Sequence, residues 1–358
     1  MKRLKKITLA QFRNYSAASF QFSERITCIT GPNGSGKTNL LDAIYYLCYT
    51  KSYFSAYQQN TAQNGTDGFR VSGDFGQETQ DEAISCKWQQ GKKEVAANGV
   101  EYEKVTDHIG KYAAVMIAPD DLELINGGSE QRRKWVDSIL CQTDRAYMES
   151  LMQYQRVLQQ RNAWLKQEAA KPRNDYTTLD FYNEKLASDG AYIYQCRQRF
   201  LQELLPSLNE YYHRLSQGRE ELGVQYNSHL HTAPMGKLLK ESLPHDLQLQ
   251  RTLKGIHRDD WDFTLDGLAL KQYASQGQKK SFLFALKLAQ YTYLEQQQGS
   301  QPMLLLDDIF EKLDNGRIRA LLAIISSPSG AGQVFLTDTD KARVAEAFGG
   351  VEVGYIEV

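Results

Sequence analysis

The eight residues Gly31-Pro32-Asn33-Gly34-Ser35-Gly36-Lys37-Thr38 have the composition and spacing of a phosphate cradle. A glycine-rich turn lets backbone N–H groups crowd around an anion, and a helix opening behind it adds the positive end of its dipole. Lys37 would reach the outer phosphates of ATP, and the Thr38 hydroxyl would ligate Mg2+. Asn39 continues the same rim. Far downstream, "MLLLDD" (303–308) is an apolar run ending in two carboxylates. A buried strand that delivers acids at its C-terminal end suits a metal–nucleotide site. Asp307 would hold Mg2+ through water, and Asp308 would polarise the attacking water. A third polar stretch, "YASQGQKKSF" (273–282), carries Ser275, Gln276, Gly277 and Gln278 just before a helical pattern. A serine hydroxyl beside helix N-terminal amides is again an oxyanion binder. One ATP already ringed by the first loop has only its outer face left. The second loop therefore fits as a cap supplied by another subunit.

These groups need a scaffold. "LKKITLAQF" and "FSERITCIT" read as two strands around a turn, the second running into the glycine loop, and "TNLLDAIYYLCY" as the helix behind it. Residues 65–118 carry alternating β-type segments. At Pro119 the character changes. Tyr147, Leu151, Tyr154, Leu158 and Leu165 form one helical stripe; Leu179, Tyr182, Leu186, Ile193, Cys196 and Phe200 form another. The turn around Pro172 makes them an antiparallel hairpin. Arg161 and Asp189 interrupt the stripes, but out of register with each other. From about residue 254 β-type segments return, then a helix over 279–297, the acidic strand, a helix and the strand "GQVFLTDTD". The reading is an α/β nucleotide fold split by a helical insertion: 1–118 and 254–358 form the head, and 119–253 the arm.

Composition narrows the partners. The 358 residues carry a net charge of −1, so any nucleic acid must be met by a local patch. Residues 130–220 hold fourteen Lys/Arg against twelve Asp/Glu, an excess too small to make the whole insertion a nucleic-acid groove. Arg132, Arg133 and Lys134 are the best local candidates for phosphate contact. Five cysteines without CxxC spacing fit reduced thiols in the cytoplasm. No segment approaches 18 apolar residues, so no membrane partner is expected.

The order of phosphate loop, "ASQGQ" and acidic strand is that of the ABC-type ATPases. In detail the chain resembles the RecF family of DNA-repair ATPases. The resemblance rests on "FRNY" (12–15), "GPNGSGKTNLLDAIYYL" (31–47), "KSYF" (51–54), "PDDLELINGGSEQRRKWVD" (119–137), "HRDD" (257–260), "ASQGQKKSFLFALKLAQ" (274–290), "LLLDDIFEKLD" (304–314) and "QVFLTDTD" (333–340). It implies an ABC-type phosphate-loop ATPase head split by a short helical hairpin. It also implies a homodimer formed head to head on ATP, with slow, DNA-stimulated hydrolysis. The implied work is recombinational repair: binding gapped DNA at single-strand/double-strand junctions and helping RecO and RecR load RecA. By the same resemblance Arg13 lies near the nucleotide, Thr337 is the switch residue, and Asp314 joins the signature residues across the dimer. Three positions depart from the family pattern. Glu311 stands where a Ser is usual, Asp338 follows the switch threonine, and Asp308 replaces the usual Glu.

Two other classes share parts of this pattern. The ATP-binding subunit of a membrane transporter would have both loops and the acidic strand, but not the hairpin or "FRNY". A small-molecule phosphotransferase would have no use for "ASQGQ". "HRDD" reads as structural, bracing the lobe that carries the signature loop.

Overall fold

A computed structural model describes residues 2–76, 81–172, 176–216, 220–309, 315–327 and 330–358. The chain divides into two compact units. One, the head, comprises Met1–Asp121, Glu210–Arg219 and Gln276–Val358; the other, the arm, comprises Leu122–Asn209 and Glu220–Ser275.

In the head, β1 (Arg3–Phe12), β2 (Tyr15–Gln21), β4 (Gly68–Gly76), β5 (Asp81–Gln89), β6 (Lys92–Ala97) and β7 (Val100–Glu101) form an antiparallel sheet ordered β2-β1-β4-β5-β6-β7. Leu4, Ile7, Leu9 and Phe12 all face inward on β1. The odd spacing from Leu4 to Ile7 is absorbed by a register shift between Leu4 and Lys6. A second sheet is all parallel. It runs β14 (Gly354–Glu357), β3 (Ile26–Thr30), β13 (Val334–Asp338), β12 (Met303–Leu306), β8 (Ala114–Ile117). Its inner strands are buried at every residue, the continuous apolar pattern of a sheet covered on both faces. Helix α1 (Lys37–Tyr49) packs in the core shared by the two sheets. This is why Leu40 through Tyr49 are all buried rather than one stripe of them. Helices α8 (Gln276–Gln298), α9 (Asn315–Ser326) and α10 (Lys341–Phe348) complete the head. The Gln333 side chain bonds both backbone groups of Leu4, at 2.8 Å each, and so stitches β1 to the parallel layer. The strand β2 is an addition to the sequence reading, which ran from β1 to β3 with one turn.

The arm contains α2 (Glu123–Asn126), α3 (Ser129–Thr143), α4 (Arg145–Ala170), most of α5 (Thr177–Ser216), α6 (Met235–Leu249) and α7 (Leu270–Tyr273). Its three-stranded sheet joins β9 (Leu222–Asn227), β10 (Asp260–Leu265) and β11 (Leu268–Ala269). Asp144 caps α4 by accepting from Tyr147 N at 2.9 Å. Helices α4 and α5 are antiparallel partners: Arg197 reaches Tyr147, and Arg161 reaches Asn183. The predicted stripes are buried except at Leu158 and Tyr182, where Val157 and Asn183 are inside in their place. Arg161 does not meet Asp189. It donates to Asp246 at 2.8 Å, and both side chains are fully buried.

Candidate nucleotide site

The glycine loop leaves β3 and enters α1 as its motif demands. Gly31, Gly34 and Gly36 have φ of +156°, +83° and +121°, the last two deep in the region that favours glycine. A Cβ on Gly36 would stand 2.6 Å from Asn14 Nδ2 and 2.7 Å from Tyr15 OH. The close approach has a purpose. Asn14 donates to Ser35 O (2.8 Å) and accepts from Asn39 (2.8 Å), while Tyr15 OH donates to Gly36 O (3.1 Å). The turn between β1 and β2 thus braces the loop from behind. Gly36 offers no side-chain cap to α1, so the first-turn amides stay directed at the loop.

Asn33, Gly34, Gly36, Lys37, Thr38 and Asn39 line a cleft of about 340 Å³. Asp307, Asp308, Thr337, Thr339 and Pro119 close the other side. Lys37 Nζ donates to the loop carbonyls of Gly31 (2.7 Å) and Pro32 (2.8 Å). The Ser35 hydroxyl is enclosed, with no hydrogen-bond partner among the described residues. Thr38 Oγ1 donates to Asp307, 2.9 and 3.1 Å from its two oxygens. Thr337 Oγ1 donates to Asp307 Oδ1 (2.9 Å) and accepts from Asp308 N (2.9 Å). One threonine therefore touches both acids. Burial pushes the Asp307 carboxyl above the usual carboxylate range, and Asp120 adds to the push; the Thr38 and Thr337 hydroxyls and the Lys37 charge oppose it. Asp308 sits at φ +51°, a left-handed conformation that costs a non-glycine residue about 1 kcal/mol and is typical of functional sites. Thr339 and Pro119 were not singled out by sequence. Each follows the C-terminal end of a parallel strand and lies in a stretch that carries the resemblance, 119–137 or 333–340.

Several expected residues are placed elsewhere. Arg13 does not line the cleft. Its guanidinium is held by Asp42 (2.9 Å), Ser52 (2.8 Å) and the Asn60 carbonyl (3.0 Å). Asp42 is fully buried on α1 and needs that cation, so Arg13 supports the wall of the site. Asp338, a departure from the family pattern, has its charge taken by Arg343, which grips both oxygens at 2.8 and 2.9 Å. Ser275 and Gln276 are exposed. Gln276, Gly277 and Gln278 open α8 and are not among the residues lining the cleft. Glu311 and Asp314 lie outside the described residues.

The basic cluster is largely spent. Arg132 clasps Asp260 (2.7 and 3.0 Å) and the carbonyls of Leu124 and Gly127. Arg133 donates to the Asp259 carbonyl (2.8 Å), and Lys134 pairs with Glu130 on the same helix (2.6 Å). Three of the four "HRDD" residues, His257, Asp259 and Asp260, are bonded within the arm. Asp259 is fully buried against Arg197 (2.7 Å), and His257 is wedged between Tyr154 (2.8 Å) and the Thr252 carbonyl (3.1 Å).

Residues 3–355 match the family model described as the RecF/RecN/SMC N terminal domain. Over 341 residues the chain is 42% identical to the DNA replication and repair protein RecF of Flavobacterium johnsoniae, covering 95% of each. The chain belongs to the RecF family. The RecF protein of Cytophaga hutchinsonii is 40% identical, over 95% of this chain and 90% of its own. Among solved structures, the recombination mediator protein RecF-ATP in the RecFOR pathway superposes with a TM-score of 0.88 at 30% identity, covering 95% of this chain and 93% of that one. The Smc head domain of Pyrococcus furiosus shares the fold, with a TM-score of 0.56 at 16% identity over 96% and 92% of the two chains. This RecF-family chain has the ABC-type ATPase fold and is a DNA replication and repair protein; the transporter-subunit and phosphotransferase readings are set aside. No helix among its described residues is long and apolar enough to cross a membrane.

Proposed function

We propose that this chain is an ATP-operated DNA clamp of recombinational repair. It binds ATP with Mg2+ in the cleft, dimerises head to head on the nucleotide, and holds DNA at single-strand/double-strand junctions. There, with RecO and RecR, it helps load RecA, in the cytoplasm. The observation that carries the reading is the joining of Lys37, Thr38, Asp307, Asp308 and Thr337 in one cleft, while Gln276–Gln278 lie outside it.

In this reading the loop amides, Lys37 and the enclosed Ser35 hydroxyl hold the phosphates. Thr38 and Asp307 hold Mg2+. A buried carboxylate whose nearest partners are two hydroxyls is a hard-oxygen donor set and fits that ion. The ion supplies charge neutralisation for the phosphates. Asp308 orients the attacking water, and Thr337 ties its backbone to Asp307, so that movement of either acid is felt by the other. Ser275 to Gln278, with Asp314, cap the nucleotide of the partner subunit. Hydrolysis is slow and stimulated by DNA. Sedimentation with and without ATP and gapped DNA tests this. The wild type should shift to dimer on ATP, and Lys37→Met should not. A variant that dimerises normally on ATP would place the dimer contact elsewhere.

A further inference from the structure

The arm holds one turn with unusual firmness. Residues 252–259 connect α6 to β10, and nearly every group beneath them is bonded. Asn162 accepts from the Thr252 backbone and hydroxyl, both at 2.8 Å, and Arg161 donates to that hydroxyl at 2.7 Å. Asp246 accepts from Leu253 N (3.0 Å), and Arg197 donates to Ile256 O (2.9 Å). The His257 ring spans Tyr154 OH and Thr252 O. Because a carbonyl only accepts, Nε2 carries the proton and Nδ1 accepts from the tyrosine. Gly255, at φ +132°, lies so close to Met235 and Tyr154 that a Cβ would stand 2.5 and 2.6 Å from them.

This turn presents Lys254, half-buried, and Arg258, exposed. Arg133 reaches its end through Asp259 O. Nearby arginines each own a carboxylate: Arg132 has Asp260, Arg161 has Asp246, and Arg197 has Asp137 and Asp259. Lys254 and Arg258 have no such partner among the described residues. His257 and His229 are held below the ordinary histidine range, by burial first. Arg258 opposes a proton on both, Arg133 on His257 and Lys254 on His229, while Asp259 favours one on His229. Lys254 and Arg258, four residues apart on one turn and without a carboxylate of their own among the described residues, leave positive charge that an anion would neutralise.

We infer that the 252–259 turn is a phosphate-binding site, in which Lys254 and Arg258, backed by Arg133, grip the backbone of nucleic acid. A lysine point charge beside an arginine fork matches a phosphodiester, and contacts of this kind position a duplex without reading its sequence. The inference rests on the DNA reading above and gives it an address.

The test uses the full-length protein carrying Lys254→Ala and Arg258→Ala together. Affinity for gapped DNA is measured by fluorescence anisotropy from about 50 to 300 mM salt. Two lost phosphate contacts should weaken binding roughly tenfold and reduce the slope of log affinity against log salt by about 2. ATP-dependent dimerisation should be unchanged. Lys254→Arg, which keeps the charge, should retain the wild-type slope. If the double variant melts early, Arg258→Gln alone is read the same way, with a slope change of about 1. A wild type that binds DNA and a folded variant that binds it equally well would remove the site and leave the DNA reading standing. A wild type without salt-dependent DNA binding would remove both. Inorganic phosphate is the second probe: if it raises the melting temperature of the wild type but not of the double variant, while DNA affinity is identical, the site belongs to a free anion and the inference falls.

Discussion

Asp307 in the head and Asp259 in the arm are both buried carboxylates, and burial pushes both above the usual carboxylate range. Their company differs. Asp259 meets the Arg197 guanidinium at 2.7 Å, and Arg197 also holds Asp137 at 2.8 Å. Asp307 meets two hydroxyls, with Lys37 turned onto the carbonyls of its own loop. The head supplies its own control in Asp121, which pairs with Lys287 at 3.0 Å and accepts from Tyr53. A buried charge closed by its counter-charge within the chain is architecture. One faced by hydroxyls and an open cleft takes its counter-charge from outside the protein.

The difference can be broken deliberately. The largest effect belongs to the arm. Arg197→Met should strand Asp259 and Asp137 and cost about 3–5 kcal/mol in urea unfolding. A loss under 1 kcal/mol would mean the arm's charges are not closed on one another. Next comes pH. His257 is pushed down to about 4, chiefly by burial, from an ordinary value near 6.5. The unfolded chain therefore takes the proton first as pH falls through that window. Stability conferred by the neutral ring is complete above pH 6.5 and lost progressively down to about 4, on the order of 3 kcal/mol at most. His257→Gln should flatten that part of the stability–pH curve, and an unchanged curve would refute the assignment.

Asp307→Asn has the opposite sign. It removes a desolvated charge, so the head should be unchanged or stabilised by about 1 kcal/mol, while Mg2+-dependent ATP binding collapses. A loss above 2 kcal/mol would make Asp307 a structural acid like Asp259. Ser275→Arg should move stability least, within about 0.5 kcal/mol, because the residue is exposed. It should leave ATP binding by the monomer intact and block dimerisation. Mixed with Asp308→Asn protein, it should recover part of the ATPase activity, since one of the two composite sites then carries neither defect. Failure of the lone Ser275→Arg monomer to bind ATP would overturn the two-subunit cap.

Sequence spacing carried the phosphate loop, the acid-tipped strand and the hairpin, because each is a local pattern with a local cause. Local patterns do not reveal partners. The Arg132 cluster looked like surface, but Asp260, 128 residues away, takes its charge. Asp338 stood out only as a departure from the family pattern, and its partner Arg343 lies on the following helix. Arg13 was expected near the nucleotide by resemblance, and its tie to the buried charge of Asp42 was not legible. Arg197 was legible and missed: it stands four residues after Ile193 and three before Phe200, on the buried face of α5. Sheet pairing was not legible. That β10 pairs with β9 depends on a register no single strand records.

The strand order of the parallel sheet sets a timetable for synthesis. In β14-β3-β13-β12-β8, the two strands made first, β3 and β8, touch only strands made after the arm. No ladder of this sheet can form until the ribosome has passed residues 118–302, about ten to forty seconds later at typical elongation rates. The antiparallel sheet, complete by Glu101, has no such delay. A nascent chain stalled before Met303 should therefore protect β1, β2 and β4 to β7 from protease and leave β3 and β8 open. The nucleotide cleft, with Lys37 made early and Asp307 late, is among the last features the chain acquires, so an abandoned nascent chain cannot capture ATP with its metal.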